Sequence, residues 1–192
     1  SILQDEHDVD LSQVTWAPSG DEHVASFVNP ANVIPMAKDE DLTEALGAGA
    51  LAGVVGTTVD HANVAPIVPD AFAAGVAALK SRGLYPINHL VVVKDEVLAA
   101  NPGLATQLFE AFAASKALYL DDLKAGRIET LSAADKVHLA AMEVIGDPLP
   151  YGIAPNEAVL NMLMGHAVTQ QIIPGPTPLE ALFVAETLDL VG

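Results

Sequence analysis

"GLYPINHLVVVKDE", residues 83–96, decides how the chain is read. Residues 90–93 form a continuous apolar run rich in β-branched side chains, the pattern of a buried strand. The front half differs. Pro86 has no N–H to give a ladder, which confines this part to an edge, a strand start or a crossover. Alternation sets Tyr85, Ile87, His89 and Val91 on one face and Pro86, Asn88 and Leu90 on the other. A tyrosine and a histidine at the mouth of a buried strand either satisfy each other in the core or face a cleft, because burying them unpaired is costly.

Around this stretch, strand-like and helical patterns alternate. Residues 14–17 ("VTWA") and 51–58 ("LAGVVGTT") read as short strands, and 32–36 ("NVIPM") as an extended segment. "DEDLTEALGAG" carries acidic residues in its first turn and glycines at its end, the start and stop signals of a helix. "DAFAAGVAALKSRG" is a helix closed by Gly83. Beyond residue 94 a short helix breaks at Pro102 and a long one follows, in which Leu104, Leu108, Ala111 and Phe112 share an expected buried face. "SAADKVHLAAMEVIG" and "NEAVLNMLMGHAVTQQ" give two more helices, and the tail from Thr177 a short helix with a weakly ordered end. Strands separated by helices predict an α/β architecture with a small sheet.

Composition bounds the function. The 192 residues are 51% hydrophobic, enough for a real core, and carry 25 acidic against 8 basic residues for a formal charge of −17. That sign repels nucleic-acid phosphates and anionic membrane surfaces. No cysteine is present, which excludes disulfides, a thiolate nucleophile and a cysteine zinc site. No apolar run is long enough to insert in a membrane, and the first residues have no signal-peptide pattern. Phosphate-loop, dinucleotide, HExxH and GxSxG motifs are all missing, so no cofactor is expected. The six histidines are scattered without ligand spacing. A metal would have to be assembled from distant groups such as Glu22, His23, Asp60 and His61, and none is expected.

Four places carry candidate chemistry. "SGDEHV" sets Glu22 and His23 in a loop after a strand end, where α/β folds hold ligands; a solvated acidic loop uses the same residues. "GTTVDHAN" offers Thr57 and Thr58, which ordinary turn chemistry also explains. "YPINH" offers Tyr85, Asn88 and His89. "PLPYGIAPNEAVL" presents Tyr151 and Asn156 at a helix entry, where free N–H groups bind anions or are simply capped.

"ILQDEHDVDLSQVTW", "GLYPINHLVVVKDEV", "LATQLFEAFAASKA", "PYGIAPNEAVLNMLMGHAVTQQ" and "TPLEALFVAETL" together resemble the 4,5-dihydroxyphthalate decarboxylase family, in the same order over nearly the whole chain. The resemblance implies a type II periplasmic-binding-protein-like fold of two lobes, with small mixed sheets flanked by helices, lacking the family's N-terminal part. Residues 1–69 would be the remainder of the second lobe and 70–192 the C-terminal half of the first. A lobe without its opening strands would leave edges unpaired, so association, as in a homo-oligomer, or poor solubility is expected. The implied ligand is a small aromatic acid held between lobes. The recurring proline and histidine of the family match Pro86 and His89, and its "PYGIxPN" matches Tyr151, Gly152, Ile153, Pro155 and Asn156. His89 would be the catalytic proton donor of a cofactor-independent decarboxylase, with Glu22, His23, Thr57, Thr58, Tyr85, Asn88, Tyr151 and Asn156 around the ligand. The alternative is a solute-binding protein without chemistry. An enzyme would be cytoplasmic; a binder would be periplasmic or extracellular. The only arginines, Arg82 and Arg127, stand outside the two loops where members carry them, which points to a substrate less anionic than a phthalate.

Overall fold

The computed structural model describes residues 2–20, 24, 26–83 and 85–192. It divides into two compact units, Ser1–Pro69 and Asp70–Gly192. Among the described residues helix covers 48% and strand 1%, with no sheet, which overturns the expected α/β, periplasmic-binding-protein-like architecture with its small mixed sheets.

In the first unit, α1 (Ile2–His7) precedes a 3-10 turn, Leu11–Gln13, capped by Asp10. The segments read as 14–17 and 32–36 do meet, as one parallel bridge between Trp16 and Val33. Trp16 N donates to Asn32 O at 2.8 Å, Ile34 N to Trp16 O at 2.8 Å and Met36 N to Pro18 O at 3.1 Å, while Pro18 has no N–H with which to return the next bond of a ladder. α2 (Leu42–Gly47) starts where Asp41 accepts from Glu44 N at 2.8 Å. The 51–58 run forms bends instead of a strand. Gly56 takes φ +86 and Val55 is 83% exposed.

The second unit is a set of helices. α3 (Ala71–Arg82) opens on Asp70, which accepts from Ala73 N at 2.8 Å, and closes on Gly83 in the left-handed region. α4 (Asp95–Ala100) ends before the Pro102 break, and α5 (Leu104–Lys124) begins after Gly103. Gly103 has no side chain to cap α5. The carboxylate of Glu186, distant in sequence, accepts from Ala105 N at 3.1 Å instead. α6 (Ala133–Ile145) has a reciprocal cap, Ser132 with Asp135, and α7 (Glu157–Thr169) follows the 3-10 turn Ala154–Asn156. α3 and α5 both pack on α6.

Burial corrects two further expectations. The buried stripe of α5 runs through Ala105, Leu120 and Leu123, whereas Phe112 of the expected face is 45% exposed. The 90–93 run is not a buried strand: Val91 and Val92 are 66% and 88% exposed. No main-chain group of residues 85–93 pairs with another among the described residues. A β-branched run becomes a buried strand only where a second strand offers its edge, and the neighbouring sequence supplies helices. The tail is two 3-10 turns, Leu179–Ala181 and Ala185–Thr187, and its end is tied down. Gly192 and Tyr151 exchange N–H···O bonds at 3.0 and 3.2 Å.

Among the described residues no helix is long and apolar enough to cross a membrane.

Candidate functional site

The second unit gathers polar groups around the loop that joins α6 to α7. At its entrance Pro148 is fully buried, and Tyr85 Oη donates to the Pro148 carbonyl at 2.8 Å. This bond ties the "YPINH" segment to "PLPYGIAPN" across 63 residues of sequence. Burial, and then the nearby Asp147 carboxylate, push the Tyr85 phenol upward.

Lys116 holds the same loop from α5. Its side chain is 7% exposed, and Nζ donates to Asp147 Oδ2 at 2.7 Å, Leu149 O at 3.0 Å and Gly192 O at 2.7 Å. All three ammonium hydrogens are used, which is what lets a lysine be buried here. The ammonium also stands 5.0 Å from the centre of the Tyr151 ring, whose edge meets Phe109. Asn156 closes the loop by donating from Nδ2 to Pro150 O at 2.7 Å and Gly152 O at 2.8 Å.

One turn after Lys116 on α5, Tyr119 enters a second cluster. Tyr119 Oη lies 2.6 Å from Asp135 Oδ1 and 2.8 Å from His138 Nδ1. The other carboxylate oxygen of Asp135 accepts from Ser132 N and Ser132 Oγ, each at 2.7 Å. The bond from Tyr119, followed by those from Ser132, holds the Asp135 carboxyl below its ordinary range. Burial first, then the bond to Asp135, push Tyr119 up to about 12.

Of the residues expected around a ligand, the structure brings together Tyr85, Tyr151 and Asn156 at this one loop, where Tyr151 and Asn156 serve its packing. Asn88 and His89 stand exposed on the extended segment and bond to no described residue. Thr57 and Thr58 belong to the first unit, on an exposed bend. Beside them His61 Nδ1 accepts from Asn63 N at 3.1 Å, and its ring lies so close to Gly47 that a Cβ there would come within 2.8 Å of Nε2. That is turn and packing chemistry. Glu22 and His23 lie outside the described residues.

Sequence reading missed Lys116, Tyr119, Asp135 and His138. Two signals point to them: a single lysine inside the apolar run "AFAASKALYL", and the S-x-x-D spacing of Ser132 and Asp135 with His138 three residues further on the same helix face. No group of acidic residues and histidines among the described residues is arranged to hold a metal ion. No protein-family model and no curated protein matches this chain.

Proposed function

We propose that the chain carries the proton-donating part of a cofactor-independent aromatic-acid decarboxylase, acting on a hydroxylated aromatic acid, with His89 as the donor. The observation that supports the proposal is the Tyr85–Pro148 bond, which ties one stretch of the decarboxylase resemblance, 83–97, to the chain two residues ahead of another, 150–171. From that anchor His89 is no more than about 14 Å of extended chain away. It is exposed and reachable by a solute.

The chemistry asked of it is simple. An electron-rich ring accepts a proton from the imidazolium at the carbon bearing the carboxylate. The bond from that carbon to the carboxyl carbon then breaks, its electron pair returns to the ring, and carbon dioxide leaves. One proton enters and one carbon dioxide departs, so no oxidant or metal is needed for balance. Histidine suits the step because its ordinary range lies near neutrality.

The test is release of carbon dioxide from 4,5-dihydroxyphthalate and from dihydroxybenzoates, run in deuterated water so that deuterium enters at the vacated ring position. His89→Gln is expected to lower turnover by about 10²- to 10⁴-fold. Unchanged turnover in that variant removes His89 from the reaction. A rise in melting temperature with these acids, but no carbon dioxide, favours a solute-binding protein instead.

A further inference from the structure

Asp135, Tyr119 and His138 are linked in a way that fixes where each proton sits. A phenol has one hydrogen to give. Asp135 is an ionised acceptor, already taking the N–H and O–H of Ser132 on one oxygen, so it has no hydrogen to return. The Tyr119 hydrogen therefore lies on the short, charge-assisted contact to Asp135 Oδ1 at 2.6 Å. The Tyr119 oxygen then turns a lone pair toward His138 Nδ1, 2.8 Å away, and a contact of that length requires the hydrogen to be on the nitrogen. Neutral His138 is thus held with its proton on Nδ1 and its basic lone pair on Nε2. His138 is half-buried, but Nε2 is not sealed from solvent and bonds to no described residue.

We propose that Asp135, Tyr119 and His138 form a proton-accepting site whose basic atom is His138 Nε2, and that its ligand is a hydroxyl compound, a phenol or an alcohol, donating a hydrogen bond to that atom. Tyr119 and Asp135 are positioning residues, acting through the imidazole as an aspartate does when it orients a catalytic histidine. The site is separate from His89 and does not depend on the decarboxylase proposal.

Long-range proton–nitrogen NMR correlation on the full chain, at a pH where His138 is neutral, reads the tautomer directly. The expected spectrum has a protonated Nδ1 and an unprotonated Nε2 for His138. Tyr119→Phe removes the acceptor for Nδ1–H, and the ring should shift to predominantly Nε2–H. Asp135→Asn gives a second route, because its amide can donate to Tyr119, which can then donate to His138 Nδ1 and reverse the tautomer. Phenol added to the wild-type protein should move the Nε2 resonance further than the Nδ1 resonance. A wild-type His138 with its proton on Nε2 overturns the proposal, as does an unmoved Nε2 at saturating phenol. An unchanged tautomer in variants that circular dichroism finds folded also overturns it. Should both variants unfold, the wild-type tautomer and the phenol titration decide the matter alone.

Discussion

Lys116 Nζ lies 2.7 Å from Asp147 Oδ2, and the two partners differ sharply in exposure: the lysine side chain is 7% exposed and the aspartate 42%. The pair is a buried cation reaching out to a half-solvated anion. Its value comes less from charge attraction, which water screens on the Asp147 side, than from three acceptors that converge on one ammonium. Lys116→Met keeps the stem and removes those donors. The Leu149 carbonyl loses its donor and the Gly192 carbonyl keeps only the N–H of Tyr151, while Asp147 can turn to water. A loss of about 2–4 kcal/mol in urea unfolding is expected. A loss below about 0.5 kcal/mol would mean that the loop does not need the lysine.

Tyr119 makes the alkaline limb of stability testable. Its phenol is raised from 10.0 to about 12 in the folded chain, so the folded state holds this proton more tightly than the unfolded state. The stabilisation is fully present below pH 10 and is lost as the pH rises through about 12. Ultraviolet titration of tyrosinate should show a late step near 12 that Tyr119→Phe abolishes. An ordinary titration for every tyrosine in the folded protein would contradict it.

Asp135 gives the opposite limb. Its folded value is depressed below 3.8, so its contribution is present above that pH and disappears as the pH falls through the lower folded value. Acid unfolding of the wild type should therefore be steeper below 3.8 than that of Asp135→Asn, which has no carboxylate to protonate. Identical acid slopes in the two proteins would show that the cluster with Tyr119 and Ser132 does not form.

Gly152 sits at φ +106, and a Cβ there would collide with the Leu190 carbonyl oxygen and come within 3.2 Å of Val191 Cα. Both contacts are backbone and cannot swing aside. Gly152→Ala is expected to cost about 2–3 kcal/mol and to loosen the exchange of bonds between Tyr151 and Gly192. Gly126 is the control, with φ +67 and open space around it, and Gly126→Ala should cost only about 1 kcal/mol. Equal costs at the two sites would mean that the 151–192 contact is absent in solution.

The helices were legible because their signals are local. Asp70 and Gly83 bracket α3, Ser132 opens α6, and Pro102 breaks the chain before α5, each within a few residues of the boundary it sets. The strands were not, because a strand is defined by a partner that the run itself does not contain. Trp16 found one in Val33; the 90–93 run did not. The site divides the same way. Tyr85, Tyr151 and Asn156 stood out as polar groups beside prolines, and the structure brings them to one loop. Lys116 did not stand out, because its three acceptors are spread from Asp147 to Gly192 and converge only once α5 has packed.

Val92 and Leu123 separate the helical structure from a strand-built one in a single experiment. Both are apolar, but Val92 is 88% exposed on the extended segment and Leu123 is 4% exposed on α5. Placing a charge at an exposed site changes little, whereas hollowing a packed site removes transfer energy and leaves a cavity. Val92→Asp should shift stability by no more than about 0.5 kcal/mol. Leu123→Ala should cost about 2–5 kcal/mol. In a sheet with residues 90–93 at its centre the order reverses, since a buried, unpaired carboxylate there costs far more than a lost side chain on a helix. Urea unfolding of the two variants, with the helical signal followed by circular dichroism, decides it. A large loss in Val92→Asp would put residues 90–93 back in a core.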